Sequence, residues 1–598
     1  MKFILNLILI VSCLIGFAQQ EEVDTTKVLY RSLTDFESWQ NLNFEKVDLF
    51  QNYRIYNINS PLARLGNLGL AIHYLDSMPI ETNIASIAGA YSPFLKTKES
   101  LRFYNTKTPF TSLNYVTGAE QEQQFTVLHT QNFGERLNIS FEYQRITSEG
   151  FYSRQLTNHT MFNGNYTYSS FNKRFSSYGY YSVASLEALE NGGIIIGESE
   201  NPDDNTVLLD INLTNAQNQI RNRLFGFINE YKIFNPTDST DNISIGHELE
   251  INRISRNYDD LIATNGDFYF NNYIDNEKTL DTSFAQVISN EAFIGFESLS
   301  LQLGFKNSQF NYFQNYLIDD ALNSNFFNAS IDREFSKLDL RLNVSKGISG
   351  YHKEEFDLVI DGKYQLNSRF SLNGMLMSQV KRPNPLMNMM RLNHFFIEND
   401  LENIELNQLA IGVSDTISRT SLQIQYSTYQ NFVYYNQVSI IRNYSNSVNV
   451  LKVNLKKLTK INRLFNLYTN ISIQSANVNS IIPIPTIVSY NSFFFSNSYF
   501  ENSLNLQLGA DFYFVSDYLR SSYNPALVQF YRDNNEDFEG SVMQLDLFLN
   551  LAINKGAKVF FKFENLLEEP FSEDSYRVQG YAIPGRAMKI GISWRMLN

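Results

Sequence analysis

The side chains that most often hold metals or perform acid–base chemistry are scattered along this sequence. Its six histidines show no metal-ligand spacing: His73, His129, His159, His247, His352 and His394. Serine and aspartate are abundant, but no local signature pairs one of them with an activating base, and no phosphate-binding GxxxxGK loop occurs. We therefore expect no enzymatic activity, no cofactor and no metal centre.

One acidic stretch, Asp533-Asn534-Asn535-Glu536-Asp537, has the oxygen ligands that a divalent cation prefers, although such a loop is more often simply solvated. The whole chain is acidic, with a formal charge of −14, and the loss of Lys2 with a signal peptide would make it −15. This charge excludes nucleic acid as an expected partner.

Cys13 is the only cysteine, and it lies in a segment with the features of a secretory signal peptide. A largely apolar run covers residues 3–17, and the small residues before the polar Gln19 predict cleavage after Ala18. Ile10 to Cys13 loosely resembles a lipoprotein cleavage site, but a cut there would leave more apolar residues behind it. We predict a signal peptide over residues 1–18 and an exported chain without disulfides.

The composition after this segment favours strands with one apolar and one polar face. The sequence contains 36 Tyr and 48 Phe among many Asn and Ser residues, and its mean hydropathy is −0.27. No later apolar stretch is long enough for a membrane-spanning helix. The pattern is typical of aromatic, half-polar strands.

Strict alternation of apolar and polar residues is the main evidence for such strands. Two segments show it clearly, with the apolar positions at Leu137, Ile139, Phe141 and Tyr143, and at Leu504, Leu506, Leu508, Ala510, Phe512 and Phe514. Segments from Leu299 to Lys306 and from Leu338 to Ser345 repeat the pattern. Because successive strand residues face opposite sides, each segment of about ten residues could cross a bilayer with one face in lipid.

A soluble β-sandwich or propeller also alternates, and the connections distinguish it from a membrane barrel. Very short turns, such as Gly134-Glu135, Asn367-Ser368 and Asn554-Lys555-Gly556, alternate with long polar stretches. The long stretches include 186–219, 258–282, 381–402, 431–445 and 516–540. Outer-membrane barrels combine short periplasmic turns with long outer loops, whereas a sandwich has no reason to do so.

These patterns predict an all-β protein, a transmembrane antiparallel β-barrel of about 22 strands with a range of 16 to 24. The first strand is predicted over Thr111–Gly118 and the last over Met588–Leu597. A lipid-facing sheet must close because an open edge would leave backbone groups without hydrogen bonds. We expect the barrel over residues 109–598, in contact with outer-membrane lipid of a Gram-negative cell.

The last strand carries a candidate signal for assembly into the membrane. Lys589, Gly591, Trp594 and Met596 follow the spacing polar-x-Gly-x-x-aromatic-x-hydrophobic, which resembles the terminal-strand signal read by the barrel insertion machinery. Barrels of this kind commonly end on an aromatic residue, whereas Leu597 and Asn598 follow here. An ordinary amphipathic edge strand is the alternative interpretation.

Three stretches resemble the putative porin family of outer-membrane barrels: Arg64 to Leu70, Leu101 to Phe110, and Arg145 to Tyr152. The resemblance implies a barrel and a pore, and it names neither a solute nor functional residues. The region from Phe560 to Leu566, with Ile583-Pro584-Gly585-Arg586, is also similar to TonB-dependent receptors. Those receptors have a large N-terminal plug and an energy-coupling box, and no convincing box precedes the first strand here.

Residues 19–108 form a segment that the strand pattern does not cover. Wide barrels are commonly filled, so residues 21–107, with the tight turn Gly66-Asn67-Leu68-Gly69, could fold into the lumen. The alternative is a periplasmic extension. The sequence Asn191-Gly192-Gly193 predicts a flexible part of an outer loop.

We expect a porin in the outer membrane that allows passive diffusion of small solutes through a polar lumen. One alternative is a gated or TonB-dependent-receptor-like transporter, whose N-terminus would bind an energizing partner. A second alternative is a structural or secretion barrel that holds partner proteins. The sequence indicates no oligomeric state.

Overall fold

The structure is a computed structural model that describes residues 28–33, 39–42, 49–53, 62–76, 84–195, 209–234, 242–262, 268–316, 320–532, 539–554, 556–567 and 576–597. The predicted signal peptide and the acidic stretch 533–537 lie outside these ranges. Twenty-two long strands form a closed antiparallel barrel, which confirms the predicted fold class and strand number. The barrel strands are β1 (Phe110–Gly118), β2 (Gln123–Phe133), β3 (Leu137–Ser148), β4 (Thr157–Ser169), β5 (Phe175–Leu189), β6 (Gln217–Lys232), β7 (Ile243–Leu261), β8 (Lys278–Phe296), β9 (Leu301–Gln314), β10 (Asp320–Glu334), β11 (Leu338–Gly350), β12 (Phe356–Gln365), β13 (Phe370–Lys381), β14 (Ile404–Asp415), β15 (Thr420–Gln430), β16 (Val448–Lys460), β17 (Phe465–Ala476), β18 (Ile487–Tyr499), β19 (Leu504–Leu519), β20 (Glu539–Ile553), β21 (Ala557–Glu564) and β22 (Ala587–Leu597).

Each barrel strand pairs with its neighbours in sequence, and β22 closes the ring by pairing with β1. The closing register runs from Lys589 opposite Gly118 to Leu597 opposite Phe110. This pairing satisfies the backbone groups that an open edge would expose to lipid. Because the strand number is even, the start of β1 and the end of β22 lie on the same rim of the barrel.

The two faces of the strands divide as the alternation predicted. On β19, Leu508 on the outer face is 55% exposed, while Gln507 and Asp511 on the inner face are 4% and 0% exposed. The polar face is buried because other parts of the chain fill the lumen. The hydrophobic core therefore lies inside the barrel, where Leu68, Ile146 and Val528 belong to one cluster.

Short turns alternate with long loops as predicted, with two differences in length. Strands β7 and β8 stay paired up to Leu261 and Lys278, so the loop predicted over 258–282 is shorter than expected. Tyr258 extends the strand because its side chain is fully buried in the lumen. On the short-turn side, the connection 233–242 is longer than the others. Among the residues that the structure describes, no helix is long and apolar enough to cross a membrane.

The N-terminal segment before β1 contains several short elements. Val28–Arg31, Gln40–Asn41 and Phe103–Thr106 form a three-stranded sheet, and Leu62–Arg64 pairs with Ile72–Tyr74 around the predicted glycine turn. Three 3-10 helices follow, at Ile84–Ile87, Gly89–Phe94 and Lys98–Ser100.

The long loops carry short elements of their own. These are the helix Pro385–Asn388 and the hairpins Met389–Arg391/Phe396–Glu398, Phe432–Tyr435/Ile441–Tyr444, Ser522–Asn524/Gln529–Tyr531 and Tyr576–Val578/Tyr581–Ala582. Buried residues from several of these loops pack together, including Leu213, Leu392, Ile441 and Leu527. The loops thus form a packed layer over the outer end of the barrel.

Candidate transport pathway

The N-terminal segment contacts opposite walls of the lumen. Lys98 Nζ lies 2.6 Å from Glu248 Oε1 on β7, and Asp76 Oδ2 lies 2.5 Å from Lys452 Nζ on β16. In a ring of 22 strands, β7 and β16 are almost diametrically opposed. The described part of the segment therefore spans the inside of the barrel.

A buried turn of this segment rests against β4. The carbonyl oxygen of Gly69 lies 2.7 Å from His159 Nε2, and Thr157 donates a hydrogen bond to the carbonyl of Leu68 at 2.9 Å. Gly69 has a φ of +97°, and a Cβ at this position would lie 2.8 Å from Thr157 Oγ1. Glycine is needed here both for the backbone conformation and for the close approach.

Lys589 anchors a buried charge network near the closing seam. Its Nζ lies 2.5 Å from Glu122 Oε1 and 3.1 Å from Glu564 Oε2. Glu122 Oε1 also accepts a hydrogen bond from the Tyr53 hydroxyl. Glu122 Oε2 accepts one from the backbone N–H of Leu68. The network joins the barrel wall to the N-terminal segment, and buried charges of this kind need all of their partners.

A second buried carboxylate, that of Glu190, joins three parts of the chain at the outer end of β5. Its Oε1 accepts hydrogen bonds from the Tyr91 hydroxyl at 3.0 Å, the Asn218 amide at 2.9 Å and the Tyr523 hydroxyl at 3.2 Å. Tyr91 belongs to the N-terminal segment, Asn218 to β6 and Tyr523 to an outer loop. Burial raises the pKa of the Glu190 carboxyl to about 7. We call these four residues the Glu190 junction.

The outer loop that carries Tyr523 reaches into the lumen. Arg256 on β7 donates a hydrogen bond to the Ala526 carbonyl at 2.6 Å, and the backbone N–H of Ala90 donates one to the Val528 carbonyl at 2.8 Å. Ala526 and Val528 are fully buried. The loop and the N-terminal segment therefore meet inside the barrel.

Two aromatic cavities lie at the outer end. One, of about 320 Å³, lies among outer loops, and the other, of about 500 Å³, lies between the loops and the N-terminal segment; Tyr531 lines both. Their aromatic lining includes Phe268, Tyr269, Phe270, Tyr273, Phe395, Phe396, Tyr74, Phe432, Tyr434, Tyr435 and Phe530. Burial lowers the pKa of His73 and of His394, which also line these cavities, to about 4. Both histidines are neutral at pH 7, so among the lining residues that the structure describes Arg532 is the single charged one.

A third cavity, of about 520 Å³, separates the N-terminal segment from strands β1 to β4. Its lining mixes polar side chains, such as Asn114, Gln144 and Asn163 on the wall, with apolar ones such as Phe560. Lys96 of the N-terminal segment faces Glu142 of β3 across 3.6 Å. This polar cleft offers water and small polar solutes space beside the segment.

The structure divides the candidate insertion residues between the faces of β22. Lys589 and Gly591 face the lumen, and Gly591 lies beneath the ring of Phe560. Trp594 faces outward and is 57% exposed, and Met596 is on the same face. These positions leave the insertion signal a prediction. Among the described residues, no group of histidine, cysteine or carboxylate side chains could hold a metal ion.

The Glu190 junction was not predicted from the sequence. Asn191-Gly192-Gly193, expected to be flexible, is instead buried: Gly193 donates its backbone N–H to Asn191 Oδ1, and Ile194 donates to the Gly580 carbonyl. One available signal was the apolar run Pro525-Ala526-Leu527-Val528 within a stretch read as a polar outer loop.

Solved structures with the same fold are large outer-membrane receptors. The siderophore receptor PiuA of Acinetobacter baumannii matches with a TM-score of 0.55 at 10% identity over 83% of this chain and 84% of that one. The FrpB iron transporter of Neisseria meningitidis gives 0.57 at 8% identity over 82% and 83%, and FpvA of P. aeruginosa bound to heterologous pyoverdines gives 0.57 at 10% over 83% and 72%. At these identities the likeness establishes the fold alone.

None of the curated proteins matches this sequence. The family model described as putative porin matches residues 31–598, which is nearly the whole chain and includes most of the luminal segment. The chain belongs to the putative porin family.

Proposed function

We propose that this protein is a gated outer-membrane transporter rather than an open diffusion pore. The observation that carries the proposal is the N-terminal segment, which is bonded to opposite walls and meets an inward-folded outer loop at the Glu190 junction. We infer that a bulky solute passes this arrangement only when the segment or the loop moves. The proposal corresponds to the gated alternative predicted from the sequence.

The aromatic cavities suggest the class of solute. Aromatic rings bind flat or apolar groups, and a single cationic side chain, Arg532, favours a neutral or anionic ligand. Proteins with a similar fold are the siderophore receptor PiuA, the FrpB iron transporter and FpvA, which was solved bound to pyoverdines. We therefore propose a compact solute with aromatic groups, of which an iron chelate is one example.

Passive diffusion of small polar solutes is the second candidate, and the polar cleft beside β1 to β4 favours it. The cleft has a volume of about 520 Å³ and an amide-rich wall. If it connects the two ends of the barrel, ions would cross without movement of the segment.

Planar-bilayer recordings distinguish the two candidates. We expect the full chain to give little conductance and a variant lacking residues 21–107 to give large, steady channels, because the deletion removes the luminal obstruction. Large channels from the full chain would overturn the gated proposal and favour diffusion. Small conductance from both proteins would also contradict it, since the segment would then not be the obstruction.

A reversible tether gives a test that does not depend on the deletion variant folding. Lys98→Cys with Glu248→Cys, joined by a thiol-cleavable bis-maleimide, would fix the segment to β7 in a background with Cys13 replaced. Uptake of a ferric tris-catecholate by cells should stop on cross-linking and return on reduction. The matched control joins Asn307→Cys to Asn325→Cys, which pair on neighbouring wall strands β9 and β10. Uptake unaffected by the Lys98–Glu248 tether would contradict movement of this part of the segment.

A further inference from the structure

Three arginines form a patch on the outer surface of the barrel. Arg223 on β6 and Arg253 on β7 are direct cross-strand partners, and Arg221 is the next outward-facing residue on β6. All three are exposed, while the residues between them, Asn222 and Ile254 among others, are buried on the luminal side. We call Arg221, Arg223 and Arg253 the arginine patch.

The patch lies at the upper boundary of the apolar outer surface. Below it on β6, the outward residues are Phe225, Phe227, Asn229 and Tyr231. On β7 the outward residues from Ile251 down to Ile243 are aliphatic except for His247, which lies opposite Asn229. The eight residue steps from Ile251 to Ile243 advance about 3.4 Å each along β7. Because a barrel strand is tilted by about 40°, they cover a height of about 20 Å, which is close to the height of the apolar band of a barrel. Above the patch, the outward residues are polar, such as Gln219 and Asn257. The arginines therefore lie at the depth of outer-leaflet headgroups.

The wall itself does not neutralise the patch. Among the described residues, none of the three arginines forms an ion pair; Arg253 Nε donates to Gln286 Oε1 at 2.9 Å, and its guanidinium lies 5.6 Å from the centre of the Phe284 ring. Glu187, on β5, is the nearest carboxylate by register, opposite Gln219 and one outward position above Arg221. Like charges placed directly opposite each other destabilise a sheet, so the Arg223–Arg253 pair indicates a missing anion.

We propose that the arginine patch binds the phosphates of a phosphorylated glycolipid in the outer leaflet. Guanidinium groups form bidentate hydrogen bonds to phosphate oxygens, and the apolar residues below would contact the acyl chains of the same lipid. The site is on the outside of the barrel, away from the lumen. It stands whether the lumen is gated or open.

Native mass spectrometry of the full chain in detergent, titrated with bis-phosphorylated lipid A, tests this proposal. We expect Arg223→Gln/Arg253→Gln to weaken lipid A binding by at least about tenfold, because two charge-assisted contacts are lost. Arg223→Lys/Arg253→Lys should retain part of the binding. The matched control is Arg333→Gln, which removes an exposed outward arginine at the opposite rim on β10 and should bind like the parent protein.

The outcomes separate a lipid site from a simple anion site. Dephosphorylated lipid A should bind weakly to both the parent and the double variant, and inorganic phosphate should not compete at equal concentration. Equal binding of lipid A by the parent and the double variant would overturn the proposal. Competition by inorganic phosphate at lipid concentrations would identify a site for free anions instead. Heat-modified migration on a gel verifies that each variant is folded.

Discussion

Glu190→Gln should remove a pH dependence from the closed lumen. In the folded protein the Glu190 pKa is about 7, against an ordinary value of 4.5, because the carboxyl is buried. The closed state therefore retains a proton that an opened, solvated Glu190 releases between these pH values. The free energy that favours the closed state is therefore largest at low pH. It decreases as the pH rises from 4.5 to 7, and above pH 7 the contribution of the Glu190 proton is lost completely.

The size of this effect follows from the shift. A pKa difference of about 2.5 corresponds to at most about 3.4 kcal/mol, or about a 300-fold change in the open population. Glutamine retains an oxygen that can accept from Tyr91, Asn218 and Tyr523 but does not ionise. Arg256, also near the carboxyl, lowers the Glu190 pKa and acts against burial without reversing it.

Labelling of a buried cysteine measures this opening. Ala526 is fully buried in the loop held by Tyr523, so an Ala526→Cys reporter reacts with a membrane-impermeant maleimide only when the loop opens. Between pH 5 and 8 the rate should rise more steeply in the parent than in Glu190→Gln, and the ratio of the two rates corrects for thiol ionisation. A ratio that stays constant over this range would refute the reasoning.

Four other substitutions test separate contacts. Gly69→Ala should destabilise the luminal turn by about 1–3 kcal/mol, because its positive φ and its contact with Thr157 leave no space for a methyl group; urea unfolding in detergent measures the loss. Lys589→Met should cost about 3–5 kcal/mol in the same assay by removing the buried cation 2.5 Å from Glu122, and adding Glu122→Gln should recover part of it; Glu564 keeps its contact with Lys562. Trp594→Ala should leave that stability almost unchanged and slow membrane assembly in pulse-chase experiments if the terminal strand carries an insertion signal; an unchanged assembly rate would contradict the signal. Tyr269→Ala should weaken binding of a ferric tris-catecholate in calorimetry, and unaltered binding would remove this cavity from the pathway.

The wall of the barrel was predictable because its signals are local. Alternation along Leu504–Phe514, together with a short turn before it and a long loop after it, fixes a strand, its faces and its direction within a few residues. Repeated 22 times, this pattern was sufficient to predict the fold.

The interior was not predictable because its contacts join distant positions. Tyr91, Glu190 and Tyr523 have unremarkable neighbours in sequence, and no periodic pattern relates residues separated by 99 and 333 positions. Adjacent glycines predict a flexible loop, yet here Gly192 packs closely against Leu213 and Gly193 packs closely against Gly580. The sequence therefore left open whether the N-terminal segment entered the lumen, while the expectation of a diffusion pore came from the strand pattern and the resemblance to porins.

Contacts between the luminal segment and strands far along the chain also constrain the order of folding. Gln51 accepts a hydrogen bond from Asn550, 499 positions later, so this contact cannot form until almost the entire chain has emerged. Docking of this segment therefore waits for the C-terminal strands, and contacts that span so much of the sequence should make maturation of the barrel slow.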